Sequence, residues 1–113
     1  NRREFARIDV EIPVSFSPEG REKDHDGLIA NLGGGGAMFA TDVPVPPTAR
    51  VLLRFKLDRD TEIGDVLGTV VGVDRRGFYD YPWRVRIRFD RIAASKQDRI
   101  MRYIFARQTK RPS

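Results

Sequence analysis

The chain has 113 residues, of which 40% are hydrophobic and 33% charged, and 21 Lys and Arg against 16 Asp and Glu give a formal charge of +5. That size and apolar fraction suit one domain with its own core, and interspersed charges of both signs argue against disorder. The absence of cysteine excludes disulfides, thiol catalysis and thiolate zinc sites, no apolar run approaches the roughly 20 residues of a membrane span, and the basic balance favours an anionic partner: nucleotide, nucleic acid or acidic lipid.

The first residue is Asn1 and no signal-peptide pattern follows, so the expectation is a domain cropped from a longer cytoplasmic protein. Residues 1–8 read as an arginine-bearing leading segment, mobile and just ahead of the first strand. From Asp9 to Phe16, Val10, Ile12, Val14 and Phe16 alternate with polar positions, the period of a half-buried strand, and Pro13 suggests an edge or bulge. A polar loop to Gly27 contains Asp24-His25-Asp26, with the single histidine, and adjacent residues on a strand cannot share one metal because their side chains alternate. Leu28–Leu32 reads as a short strand running into Gly33-Gly34-Gly35-Gly36, and Ala37–Thr41 as the next. Pro44, Pro46 and Pro47 form a rigid connection. Val51, Leu53, Phe55 and Leu57 mark a clear strand, Asp58–Glu62 a charged hairpin tip, and Val66–Val73 a further strand. The strongest alternation places Trp83, Val85, Ile87 and Phe89 on one face and Arg84, Arg86 and Arg88 on the other.

After Ser95 the period changes, with Ile100, Met101, Ile104 and Phe105 on one helical face. Ser95 fits an N-cap, with Asp98 in the first turn. The fold expected is mainly β: a small antiparallel barrel of six or seven strands over residues 9–91, closed by a C-terminal α-helix over 95–108, all in a single domain spanning 1–113.

Two motifs carry chemistry. Arg2, Arg3 and Arg7 precede the first strand, with R-x-x-x-R spacing at Arg3 and Arg7. Guanidinium forks bind phosphate bidentately and match O6 and N7 of guanine. Asn31, Gly33 and Gly36 form N-x-G-x-x-G, an amide that can read a base edge beside backbone that a ligand can approach, with positive φ where needed. Taken singly, the first motif reads as a solvated basic tail and the second as a tight turn. Nothing pairs a nucleophile with a histidine base, and no phosphate loop of the G-x-x-x-x-G-K type exists, so an enzyme is not expected, nor a metal or cofactor. The arginine stripe at 84, 86 and 88, with Tyr79, Tyr81 and Trp83, leaves a basic nucleic-acid-binding barrel as a disfavoured alternative.

In this order, the two motifs resemble the PilZ domain family, bacterial receptor modules for cyclic di-GMP. Ile87-Arg88-Phe89 is similar to the late strand of that family, and Arg102-Tyr103-Ile104-Phe105-Ala106-Arg107-Gln108 to a helix ending in its two-part receptors. The resemblance covers nearly the whole chain. It implies a PilZ-like barrel in which Arg3 and Arg7 bind guanine edges and phosphates and Asn31 binds a guanine. Gly36 would hold the turn, and Arg2 would help set whether one ligand or an intercalated dimer is bound. Ordering of the leading segment would then reposition an N-terminal domain or an effector protein. Gly33 stands where the family has Ser, which removes a hydroxyl partner and about tenfold in affinity at most. Arg86 stands where the family often has Gly, and either obstructs the ligand or adds a phosphate contact. A PilZ-like module that has lost the ligand and acts by protein contacts is the other alternative.

Overall fold

The period of two that marks Val10, Ile12, Val14 and Phe16 recurs through most of the chain and builds a sheet closed on itself. A computed structural model describes residues 6–18, 23–76 and 80–109. It contains β1 (Arg7–Pro18), β2 (His25–Gly33), β3 (Gly36–Thr41), β4 (Arg50–Asp58), β5 (Thr61–Asp74), β6 (Trp83–Phe89) and α1 (Ala94–Thr109). The strands form a closed barrel in the order β1-β2-β3-β6-β5-β4. Every described pairing is antiparallel, and β4 returns to β1 through Val14↔Phe55 to Pro18↔Val51.

Inward-facing Ile12, Phe16, Ile29, Leu32, Phe39, Leu53, Val70, Val85 and Ile87 fill the barrel, and Ile100 and Ile104 of α1 join the same core. Each such side chain contributes roughly 1.5–3 kcal/mol on burial, and the six strands and the helix share this one core. Phe16 and Phe39 pack with ring centroids 4.8 Å apart. Outer faces carry charge: Arg54 of β4 bonds Asp65 of β5 at 2.6 Å and Asp24 at 3.2 Å.

Several local expectations shift. Arg7, expected in a mobile leading segment, is the first residue of β1 and pairs with Gly33. His25 and Asp26 belong to β2, not to a loop. The β4–β5 tip shrinks to Arg59 and Asp60 because the Asp60 amide donates to Asp58 Oδ1 at 2.9 Å, letting β5 start at Thr61. Ser95 is not the N-cap: α1 starts at Ala94, and the Gln97 amide donates to the Ala93 carbonyl at 3.0 Å. Asp98 lies beyond the first turn and pairs instead with Arg102 at 2.9 Å.

Three register shifts bear on which side chains share the outer face, one of them on β1 between Asp9 and Ile12. Ile29 opposes Phe39 and Asn31 opposes Met38, so Ala30 is an extra residue on β2. Inward-facing Ile29 and Leu32 are three positions apart, which turns Ala30 and Asn31 together to the outer face. On β5, Val70 opposes Ile87 and Gly72 opposes Arg86, leaving Val71 as the extra residue, 53% exposed.

Candidate functional site

Register aligns a row of outward residues across five strands. Asp9 of β1 opposes Asn31 of β2, Asn31 opposes Met38 of β3, Met38 opposes Arg86 of β6, and Arg86 opposes Gly72 of β5. At a strand spacing of about 4.8 Å, the Asn31 and Arg86 backbones lie roughly 10 Å apart. Arg7 and Gly33 lie beside this row, one outward position along.

Arg7 and Asn31 meet directly. Arg7 Nε donates to Asn31 Oδ1 at 2.6 Å, and Asn31 Nδ2 donates to Asp9 Oδ1 at 3.1 Å. This chain fixes the amide orientation of Asn31, with its carbonyl oxygen towards the arginine and its amino group towards the carboxylate. The second amino hydrogen remains as a donor, beside the guanidinium fork of Arg7. Both groups are therefore set to meet acceptors, such as phosphate oxygens or the O6 and N7 positions of guanine.

The glycines act through space, not through unusual dihedrals. Among the described glycines only Gly64 has positive φ, at 79°, so the expectation of left-handed backbone in the 33–36 cluster fails. A Cβ on Gly33 would come within 2.8 Å of Arg7 Cγ and 3.3 Å of one terminal guanidinium nitrogen. The Arg7 side chain thus lies across Gly33. A Cβ on Gly36 would overlap the Ile87 carbonyl oxygen and approach its carbon to 3.3 Å. Gly36 is there for the close crossing of β3 and β6. The turn between these two glycines is held from outside the β2–β3 pair: the Phe89 amide donates to Gly35 O at 2.9 Å, and Gln97 Nε2 of α1 donates to Gly34 O at 3.0 Å.

Arg86 shares the row with Asn31 but does not converge on it. Its guanidinium folds over Gly72, on the β5 side, in the space a Cβ there would fill. Its neighbours in the stripe are partnered: Arg84 with Asp74 at 3.2 Å, and Arg88 with Asp90 at 3.7 Å. Arg75 sits 4.9 Å from the Trp83 ring centroid. Among the described residues Arg86 faces no carboxylate within ion-pair distance. Arg2, Arg3 and Tyr79 lie outside the described residues.

A broad open groove of about 1240 Å³ runs along β1 and β4, lined by Asp9, Glu11, Arg54, Lys56, Arg84 and Tyr103 among others. The Arg54 guanidinium at its edge is pushed up from its ordinary pKa, first by its hydrogen bond and charge pairing with Asp65 and then by Asp24, against a smaller opposing effect of desolvation. A smaller cavity of about 400 Å³ lies between the start of β1 and the end of α1, lined by Arg7, Ile8, Asp9, Arg107 and Gln108. Among the described residues no group of three His, Cys, Asp or Glu side chains is placed to hold a metal ion, and no helix is long and apolar enough to cross a membrane.

Sequence reading does not single out Asp9, Gln97 or Arg107 as site residues. Asp9 was within reach, since it stands two residues after Arg7 and so shares its strand face. Gln97 and Arg107 carry no such signal, because their relation to the motifs depends on how α1 docks.

A family model described as PilZ domain matches residues 1–106. No curated protein sequence matches significantly. Among solved structures, the Bacillus subtilis inhibitor of motility, MotI, superposes with a TM-score of 0.82 at 20% identity, over 99% of this chain and 54% of its own. The PilZ domain of Escherichia coli YcgR, solved with c-di-GMP, superposes with a TM-score of 0.76 at 14% identity, over 97% of this chain and 94% of its own. MrkH of K. pneumonia, solved as a complex with c-di-GMP, gives 0.66 at 16%, over 97% and 56%. At these identities the likeness establishes a shared fold, and the chain spans about half the length of MotI and MrkH.

Proposed function

The chain belongs to the PilZ domain family, and we propose that it is a cyclic di-GMP receptor module with its site on the outer face of β1 and β2. The observation that carries this reading is the contact of Arg7 Nε with Asn31 Oδ1 at 2.6 Å, which joins the R-x-x-x-R and N-x-G-x-x-G motifs across 24 residues. Arg7 and Asn31 would read a guanine edge and a phosphate, Arg3 would supply the second fork, and Arg2 would bear on binding of one ligand or an intercalated pair. Asp9 holds Asn31 in the donor orientation that an acceptor edge requires. Gly33 and Gly36 serve by leaving room, the first for Arg7 and the second for β6. Arg86 would add a phosphate contact once its side chain leaves Gly72.

The role is that of a receptor and not of a catalyst. Fixing a leading segment costs roughly 1–2 kcal/mol per residue. Charge-assisted hydrogen bonds of roughly 1.5–3 kcal/mol each can offset that cost over a few residues. The output is then mechanical: a ligand-driven switch that repositions an adjacent N-terminal domain or a bound effector, in the cytoplasm. Calorimetry with cyclic di-GMP tests the reading. Saturable binding is expected, with most of the affinity lost in Arg7→Ala and in Arg3→Ala. The absence of both heat and thermal shift at high micromolar ligand would sink it.

A further inference from the structure

The helix α1 touches both halves of the site. Near its start, Gln97 holds the glycine turn through Gly34 O at 3.0 Å. At its end, Arg107 and Gln108 face Arg7, Ile8 and Asp9 across the cavity of about 400 Å³. Two arginines, from separate elements, therefore line one cavity. The carboxylate of the same lining, Asp9, already accepts from Asn31.

Arg107 is set for more than a surface role. Its guanidinium carbon lies 5.0 Å from the Tyr103 ring centroid, and stacking of this kind orders a planar fork before it binds, so less freedom is lost on contact. Among the described residues it has no carboxylate within ion-pair distance, whereas Arg102 on the same helix pairs with Asp98 at 2.9 Å. Arg107 also stands in the last turn of α1, where any cation offsets the helix dipole. That role needs neither a planar fork nor a cavity shared with Arg7.

We propose that Arg107 is a further ligand-binding arginine, which closes the site from α1 so that the bound cyclic dinucleotide bridges β1 and α1. This rests on the cyclic di-GMP reading and extends it from the two sequence motifs to the helix. The class of contact is a fork on a phosphate or on a guanine acceptor edge, the chemistry Arg7 offers from the opposite wall.

Calorimetry with cyclic di-GMP on the wild-type chain and on Arg7→Ala, Arg107→Ala, Arg107→Lys and Arg102→Ala tests it, together with hydrogen exchange of α1 with and without ligand. The expected result is a loss of about tenfold or more in Arg107→Ala, consistent with one charge-assisted bond. Arg107→Lys should fall in between, Arg102→Ala should match wild type, and ligand-free melting should be nearly unchanged throughout. Ligand should protect the last turns of α1 in the wild type and not in Arg107→Ala. Wild-type affinity and unchanged helix protection in Arg107→Ala, beside lost binding in Arg7→Ala, would overturn the role of Arg107 and leave the receptor reading intact. Equal losses in Arg102→Ala and Arg107→Ala would reduce it to general charge and overturn it as well. No binding by the wild-type chain would remove both.

Discussion

Replacing Gly36 with Ala separates a folding role from a ligand contact. The added Cβ would overlap the carbonyl oxygen of Ile87 and press on the Ile87 carbonyl carbon at 3.3 Å and the Arg88 Cα at 3.4 Å. All three are backbone atoms of β6, so no rotamer change relieves the overlap, and β3 must part from β6 where Gly36 opposes Arg88. Overpacking of one methyl group typically costs about 1–3 kcal/mol. Loosening one backbone hydrogen bond, such as Phe89 N to Gly35 O at 2.9 Å, adds roughly 0.5–1.5 kcal/mol. The combined loss is about 1.5–4.5 kcal/mol, a large share of the roughly 5–15 kcal/mol available to a domain. At about 4–8 °C per kcal/mol for a domain near this size, the melting temperature should fall by roughly 6–36 °C without ligand. Urea unfolding should show a lower midpoint with an unchanged slope. A variant that melts within a degree or two of wild type yet binds cyclic di-GMP poorly would refute this reasoning and make Gly36 a ligand contact.

Gly33→Ser should act on the ligand and not on the fold. Its Cβ meets Arg7 Cγ at 2.8 Å, a side chain that can swing away, although the Ala6 carbonyl oxygen at 3.1 Å leaves little slack. The hydroxyl adds an acceptor and donor, so affinity for cyclic di-GMP should rise by up to about tenfold, whereas unchanged or weaker binding by calorimetry would count against the account of position 33. Gly72→Ala should evict the Arg86 guanidinium from β5. If Arg86 makes a phosphate contact, binding should tighten a few-fold with a steeper salt dependence, while loss of affinity would assign Arg86 an obstructing role.

Much of the barrel could be read from period alone. Val51–Leu57 and Trp83–Phe89 alternate cleanly because each has one face in the core and one in water. The bulges at Ala30 and Val71 could not, since a bulge slips the period by one residue and is defined by the partner strand. The first of these slips turns Asn31 outward, and a further register shift on β1 between Asp9 and Ile12 sets it opposite Asp9. The reason for the glycines was also hidden: composition suggests dihedral freedom, whereas Gly36 answers to the Ile87 backbone, a contact made between strands far apart in the chain. The start of α1 misleads for a smaller reason. Ser95 looks like a cap, but the Ala93 carbonyl already accepts the first helical bond.

The way the barrel closes bears on how the protein folds. β1 and β4 pair through five residues, from Val14 to Pro18 of β1, and only after β2 and β3 have intervened in the chain. Such a non-local closure is slow to form, while the β1–β2 pairing is local in the chain. That pairing holds Arg7, Asp9 and Asn31 in register on its own. The contacts among Arg7, Asp9 and Asn31 thus depend on the local β1–β2 pairing and not on the non-local β1–β4 seam.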